Sequence, residues 1–307
     1  MVDRTMRRRL SRWDMRLSPY LYVAPFFVLF AVFGLYPMGY TLYVATRNWT
    51  LGADTSTPAG LANFTELLHD SEFWNSVGNT FGIFILSTIP QLLLALFLAH
   101  LLNKVIRGRM LFRLGIIAPI VTSTAVIGLV FSQIFSKDYG LANYLLHFFG
   151  GAHPVDWKAD KWSSWVAIAT MVNWRWTGYN ALIYLAAMQT IPRDIYESAS
   201  LDGARSLTQF WRITVPLLRP TIIFTAIIST IGGLQLFGEP ALFNSGSNYL
   251  GGGSLHQFQT MTMYLLQEMF NRSRLGYAGA IAWVLFLLIL ITSVFNFLII
   301  RRLDSDR

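Results

Sequence analysis

The sequence predicts an all-α polytopic membrane protein with six transmembrane helices, and three observations carry that prediction. Of the 40 charged residues among 307, 39 lie outside six stretches: 17–46, 73–103, 114–136, 162–192, 220–238 and 275–300. Those stretches together hold 160 residues and one charge, Arg175. Five of them exceed the roughly 20 residues that cross a bilayer as helix, and 220–238 nearly reaches that length. Finally, 54% of the residues are hydrophobic and the mean hydropathy is +0.45. A soluble domain instead interleaves charge with apolar residues, because each surface helix needs a polar face.

The six helices are expected at 19–45, 77–102, 113–136, 163–189, 219–238 and 277–300. The first is too long for a signal-peptide core and runs on through Pro37-Met38-Gly39. The second ends near His100, read as an interfacial residue, and the fourth holds Arg175 about midway. The stretch 240–267 also lacks Asp, Glu, Lys and Arg. Asn244, Ser245, Gly246, Ser247, Asn248 and Gly251-Gly252-Gly253 mark it as turn-forming rather than spanning. Within it, Met261–Leu266 reads as an external amphipathic helix. The chain thus divides into a basic arm at 1–18, a membrane domain at 19–300 and a tail at 301–307.

Orientation follows from the positive charges. Seventeen Lys and Arg fall in the arm, the tail and the loops after helices 2 and 4, against six in the opposite loops. The positive-inside rule puts the 17 in the cytoplasm, with both termini. The net charge of +8 is therefore a signal of orientation and not a nucleic-acid footprint. The absence of cysteine excludes disulfides, thiolate metal sites and cysteine nucleophiles.

The informative loop follows helix 4. It reads Ile191-Pro-Arg-Asp-Ile-Tyr-Glu-Ser-Ala-Ser-Leu-Asp-Gly203 and continues to Ile213-Thr214-Val215-Pro216. Pro192 suits a helix start and Asp194 its first turn. Ser198, Ala199 and Ser200 keep one short helix slim, Asp202-Gly203 breaks it, and a second runs over roughly 205–213 to Pro216. Slim helices at a membrane surface suit a groove in another protein. A connector lying on lipid headgroups is the competing reading of the same composition.

Glu197-Ser198-Ala199, three residues, Gly203, nine residues, then Ile213-Thr214-Val215-Pro216 resembles the "EAA" signature of permease subunits of binding-protein-dependent ABC importers. Ser198 stands where the family has Ala and Val215 where it has Leu, with the spacing kept. Leu185–Pro192, Leu217–Pro220, Asn63-Phe64, Phe73-Trp74, Asn79-Thr80 and Gly276-Tyr277-Ala278 are similar to the carbohydrate, maltose-type branch. The resemblance implies a type I ABC importer permease fold in a bacterial or archaeal inner membrane. It implies a helix near 194–203 that couples to a cytoplasmic ATPase through Glu197, Ser198, Ala199, Asp202, Gly203, Ile213 and Pro216. It also implies an ATPase dimer carrying ATP and Mg²⁺, a second permease subunit (a paralogue by preference), an extracytoplasmic sugar-binding protein and surrounding membrane lipid. The substrate it points to is a di- or oligosaccharide. No G-x-x-x-x-G-K-[ST] is present, so this chain is expected to hold no nucleotide or other cofactor and not to be an enzyme.

Substrate contact is expected from helix 4, at Trp174, Arg175, Trp176, Tyr179 and Asn180, and from helix 5, at Gln235 and Phe237. Aromatic faces suit sugar rings, while the guanidinium and amides suit hydroxyls. A charge inside a span is costly and faces protein or water. The competing reading pairs Arg175 with an acid such as Glu239 and makes the tryptophans packing anchors. An ion-coupled secondary carrier is the main alternative function, but no Asp or Glu lies within the six runs. A membrane enzyme lacks convergent groups: of five His, only His100 falls in a span, so neither a catalytic nor a metal site is expected.

Overall fold

The computed structural model describes residues 18–104, 108–150, 153–244 and 248–305. The basic arm at 1–18 thus lies outside the described residues except for Ser18, and so do the last two residues of the tail. The expected spans appear as α1 (Ser18–Ala45), α3 (Ser71–Asn103) and α13 (Leu275–Ser305), with short α2 (Ala62–His69) between the first two. These three are long and apolar enough to cross a membrane. Instead of ending before 301, the last helix continues through the tail to Ser305. Asp70 caps α3 by accepting the Glu72 N–H at 2.9 Å.

Two expected spans are bent rather than straight. The third is split into α4 (Arg109–Val121) and α5 (Thr124–Ile134), with a bend of 96° between Met110–Val121 and Thr124–Ile134. Pro119 removes a ladder donor in the last turn, and the Thr122 hydroxyl bonds back to the Ala118 carbonyl at 2.9 Å. Thr122 and Ser123 then take extended ψ values of 134° and 137°. The fifth runs only over α10 (Arg219–Leu234), bent by 70° from α9 (Ser206–Leu217). Gln235 and Phe237, expected inside it, lie beyond its end, where Phe237 has φ −133° and ψ −55° and short α11 (Gly238–Phe243) begins.

The fourth span is α7 (Lys161–Met188), 28 residues long, with α6 (Leu141–Phe148) before it. At about 1.5 Å per residue it is long enough to cross, although Asn173, Arg175 and Asn180 dilute its apolar content. It forms the most extensive pairing in the fold, with α3. Small residues take part in the contact: Ala95 and Ala99 on α3 share a buried cluster with Ala181 on α7, and Ala167 on α7 shares one with Ile83 on α3. At Gly82 a Cβ would lie 2.3 Å from the Trp165 ring.

α12 (Met261–Leu266), continued by a π turn over Gln267–Asn271, forms where the sequence predicts a helix. It is not a surface helix. Met261, Met263 and Tyr264 are at most 1% exposed, because the helix packs against α3 and α13 and shares their core with Phe73 and Tyr277. α1 does the opposite. Of its described residues only Val44 and Ala45 are buried, where they meet α13 and where the Asn63 amide donates to the Ala45 carbonyl at 2.8 Å.

Gly178 sets how closely α4 approaches α7, since a Cβ there would stand 1.9 Å from the Ile116 carbonyl oxygen. We expect Gly178→Ala to destabilise the detergent-solubilised protein by about 1–3 kcal/mol, as overpacking does. Gly115→Ala on α4 has open space around its Cβ and should stay within about 0.5 kcal/mol of wild type. Thermal unfolding of both variants distinguishes these outcomes.

Candidate functional site

A cavity of about 360 Å³ opens between α3, α5, α7, α10 and the segment from Gln235 to Glu239. That is near the lower end of the roughly 300–1,000 Å³ usual for small-molecule sites. Arg175, Trp176, Tyr179 and Asn180 line it from α7, since positions i, i+1, i+4 and i+5 share one helical face. Gln235 and Phe237 reach it because the chain has left the helix there, which turns both toward the wall. Six of the seven expected pathway residues thus come together. The seventh, Trp174, is not among the lining residues: it is 45% exposed and its ring lies 5.5 Å from that of Phe131.

Arg175 lines the cavity and is paired there with Glu239, the acid named for it in the competing reading of the sequence. Its Nη1 donates to Glu239 Oε1 at 2.8 Å, and its guanidinium stands 5.4 Å from the Trp176 ring centroid. Both side chains of the pair line the cavity. The Arg175 Nε is buried with no hydrogen-bond partner among the described residues. Asn180 Nδ2 donates to Ser229 Oγ at 3.3 Å, adding a second polar point. The sequence reading missed Thr88, Gln91, Ser229 and Gly232-Gly233 on this wall. Thr88 and Gln91, three residues apart on one face of an apolar run, were the available signal. Aromatic faces and amides suit a polyhydroxylated solute. Among the described residues no group of three or more His, Asp or Glu is placed to hold a metal.

In the basic loop that follows α7, α8 (Arg193–Leu201) and α9 are joined by the turn Asp202–Arg205. Gly203 has φ +76°, a left-handed conformation that glycine adopts without strain. The two helices are clasped by Tyr196 to Thr214, hydroxyl to hydroxyl at 2.9 Å, and by Gln209 Nε2 donating to Ser200 Oγ and the Ala204 carbonyl, both at 2.9 Å. No residue of α8 is buried. Glu197, Ser198, Asp202 and Gly203 are exposed, whereas Ala199, Ile213 and Pro216 are half-buried against the rest of the unit. Leu201 is 90% exposed beside the turn.

The far end of α3 carries a charge network that sequence reading did not find. Glu268, with its side chain fully buried, pairs with Arg272 at 2.5 Å and Arg274 at 3.4 Å, and Arg272 also reaches Glu72 at 2.8 Å. Burial pushes the Glu268 carboxyl up, with the two guanidiniums pulling against it. Burial acts likewise on Asp70, but hydroxyls of Tyr264 and Tyr277 and the backbone N–H groups of Glu72 and Phe73 hold it below the ordinary carboxylate value. Partners 200 residues apart in sequence leave no local pattern to read.

A family model for the binding-protein-dependent transport system inner membrane component matches residues 83–305. The chain belongs to this family. It is 35% identical over 300 residues to the lactose transport system permease protein LacF of Rhizobium radiobacter, covering 97% of this chain and 98% of that one. It is 33% identical to the arabinooligosaccharides transport system permease protein AraP of Halalkalibacterium halodurans, over 91% of this chain and 86% of the relative. A chain of the crystal structure of a bacterial ABC transporter involved in the import of the acidic polysaccharide alginate superposes with a TM-score of 0.77 at 22% identity, over 96% of this chain and 99% of that chain. The fold is thus that of an ABC importer permease. This family member is a multi-pass inner membrane transport subunit working with a binding protein, not an enzyme, and the ion-coupled carrier reading falls away.

The sign of the Asp70 shift yields a test. A depressed carboxyl stabilises the fold above its ordinary value of 3.8 and loses that contribution as pH falls. Tyr264→Phe should cost about 1–2 kcal/mol at pH 7, allowing for the partial exposure of Asp70. The difference from wild type should shrink at acid pH in a series of thermal unfolding curves.

Proposed function

We propose that this chain is a permease subunit of an ABC importer for a di- or oligosaccharide. It forms half of the translocation pathway, and the second half comes from another permease subunit, by preference a paralogue. The observation that carries the sugar reading is the cavity wall. Trp176 and Tyr179 offer ring faces, while Asn180 and Gln235 offer hydrogen bonds. Relatives aligned over nearly the whole chain bear the names of lactose and arabinooligosaccharide permeases, which supports the same substrate class.

Coupling is assigned to 190–219. An ATPase dimer holding ATP and Mg²⁺ would receive α8 in a surface cleft, touching Glu197, Ser198, Asp202 and Gly203, while this chain binds no cofactor. The clasp between α8 and α9 supports transmission, because a push on one helix moves both. Phe210 on α9 is buried with Ala99, Leu102, Met188 and Leu218, at the cytoplasmic ends of α3, α7 and α10. Displacement of α8 therefore reaches three of the helices that wall the cavity. In this reading both termini are cytoplasmic, a sugar-binding protein delivers from the opposite side, and lipid covers the apolar helices.

Two sets of variants test the proposal. Glu197→Ala and Gly203→Ala should insert normally yet recover less ATPase on co-purification, and unchanged recovery in both rejects the coupling assignment. Trp176→Ala and Asn180→Ala should each lower the initial rate of sugar uptake about tenfold, equivalent to about 1.4 kcal/mol, with the complex intact. Trp174→Ala should transport at close to the wild-type rate. Normal uptake in both cavity variants rejects the pathway.

A further inference from the structure

Arg175 and Glu239 are the charged residues among those lining the cavity, and they face each other at 2.8 Å. We propose that Glu239 is the specificity-determining residue for substrate charge. It neutralises Arg175, so that this half of the pathway accepts uncharged sugars and rejects acidic ones. The inference rests on the sugar reading above and deepens it.

The geometry makes the pair a filter rather than a plug. A guanidinium is a fork of N–H donors that grips a carboxylate, and an unengaged one in a pathway is a ready site for a uronate. Here Nη1 is already held by Glu239, whose side chain is 5% exposed and therefore poorly screened by water. An acidic sugar reaching for Arg175 must displace Glu239 and leave a buried carboxylate without its counter-charge, or sit beside it at like-charge distance. A neutral sugar meets neither obstacle. Its ring lies against Trp176 while Nη1 stays on Glu239.

Glu239 is also fixed in place. A Cβ at the neighbouring Gly238 would stand 2.9 Å from the Thr124 side chain, and Gly128 is equally tight against Leu242 of the same short helix. The carboxylate is thus presented by a packed element and not by a loose loop. A change at this one position reverses the charge preference without rebuilding the cavity.

The test uses the purified transporter assembly without its binding protein, so that only the membrane cavity reads the sugar. Ligand-induced rises in melting temperature give apparent affinities for neutral disaccharides (lactose, maltose and cellobiose) and for dimannuronate. Wild type should respond to a neutral disaccharide and not to the uronate. Glu239→Gln should improve the uronate-to-neutral affinity ratio about tenfold, as one charge-assisted contact does. Arg175→Gln should shift the opposite way, toward a cationic glucosamine disaccharide, and it decides alone if Glu239→Gln fails to assemble. A purely structural pair predicts no change of preference with ligand charge. Ratios that stay put in assembled variants that still bind neutral sugar overturn this inference and leave the sugar reading intact. Absence of any sugar response, in wild type and variants alike, overturns both.

Discussion

α3 pairs with α7 more extensively than any other two elements do, with Ala95, Ala99, Ala167 and Ala181 among the residues buried there, and the rest of the structure is arranged around that contact. In a bilayer two apolar helices gain little by hiding from lipid, so association depends on how closely the backbones approach. The small residues meet that requirement at Ala95 and Ala99 on one side and at Ala167 and Ala181 on the other. With the two long helices fixed, α10 closes one flank of the cavity and the bent pair α4 and α5 the other. Two cores then form at the two ends of the α3 frame, around Phe73 with Tyr277 and around Met188 with Phe210.

The bends serve the cavity as much as the packing does. A straight helix through 219–238 would carry Gln235 and Phe237 on its own faces, and a straight 113–136 would leave no room for α11. Breaking the first at Leu234 and the second at Thr122-Ser123 lets Gly238–Phe243 fold across α5 and bring Glu239 to Arg175. A lone guanidinium inside a span is costly, and the departure from helical geometry is what supplies its partner.

Most of the architecture was legible in the sequence, because exclusion of charge from a bilayer is a compositional rule that needs no tertiary information. The same holds for the turn between α8 and α9, where Gly203 announces a left-handed residue and its φ of +76° agrees. The cavity was legible along α7, where residues on one face share one environment. Trp174 was grouped by adjacency in sequence, although its helical position turns it away from the lining. The bend after Pro119 was visible as a proline but not as a 96° angle, since prolines within spans are often absorbed. Burial of α12 escaped because its alternating Thr and Met imitate an amphipathic surface. What covers Tyr264 comes from α3 and α13, at the far ends of other segments.

The neutral pair in the cavity has an electrical consequence. A cell membrane sustains a potential, and moving one elementary charge across it exchanges about 2.3 kcal/mol per 100 mV. When the permease rocks between its two orientations, any unbalanced charge on the cavity wall would travel through part of that field and make each stroke depend on the energised state of the membrane. Arg175 and Glu239 move together and their charges cancel, so this subunit carries no net gating charge in its core. In the coupled motion proposed above, the pair therefore adds no dependence of the stroke on membrane potential.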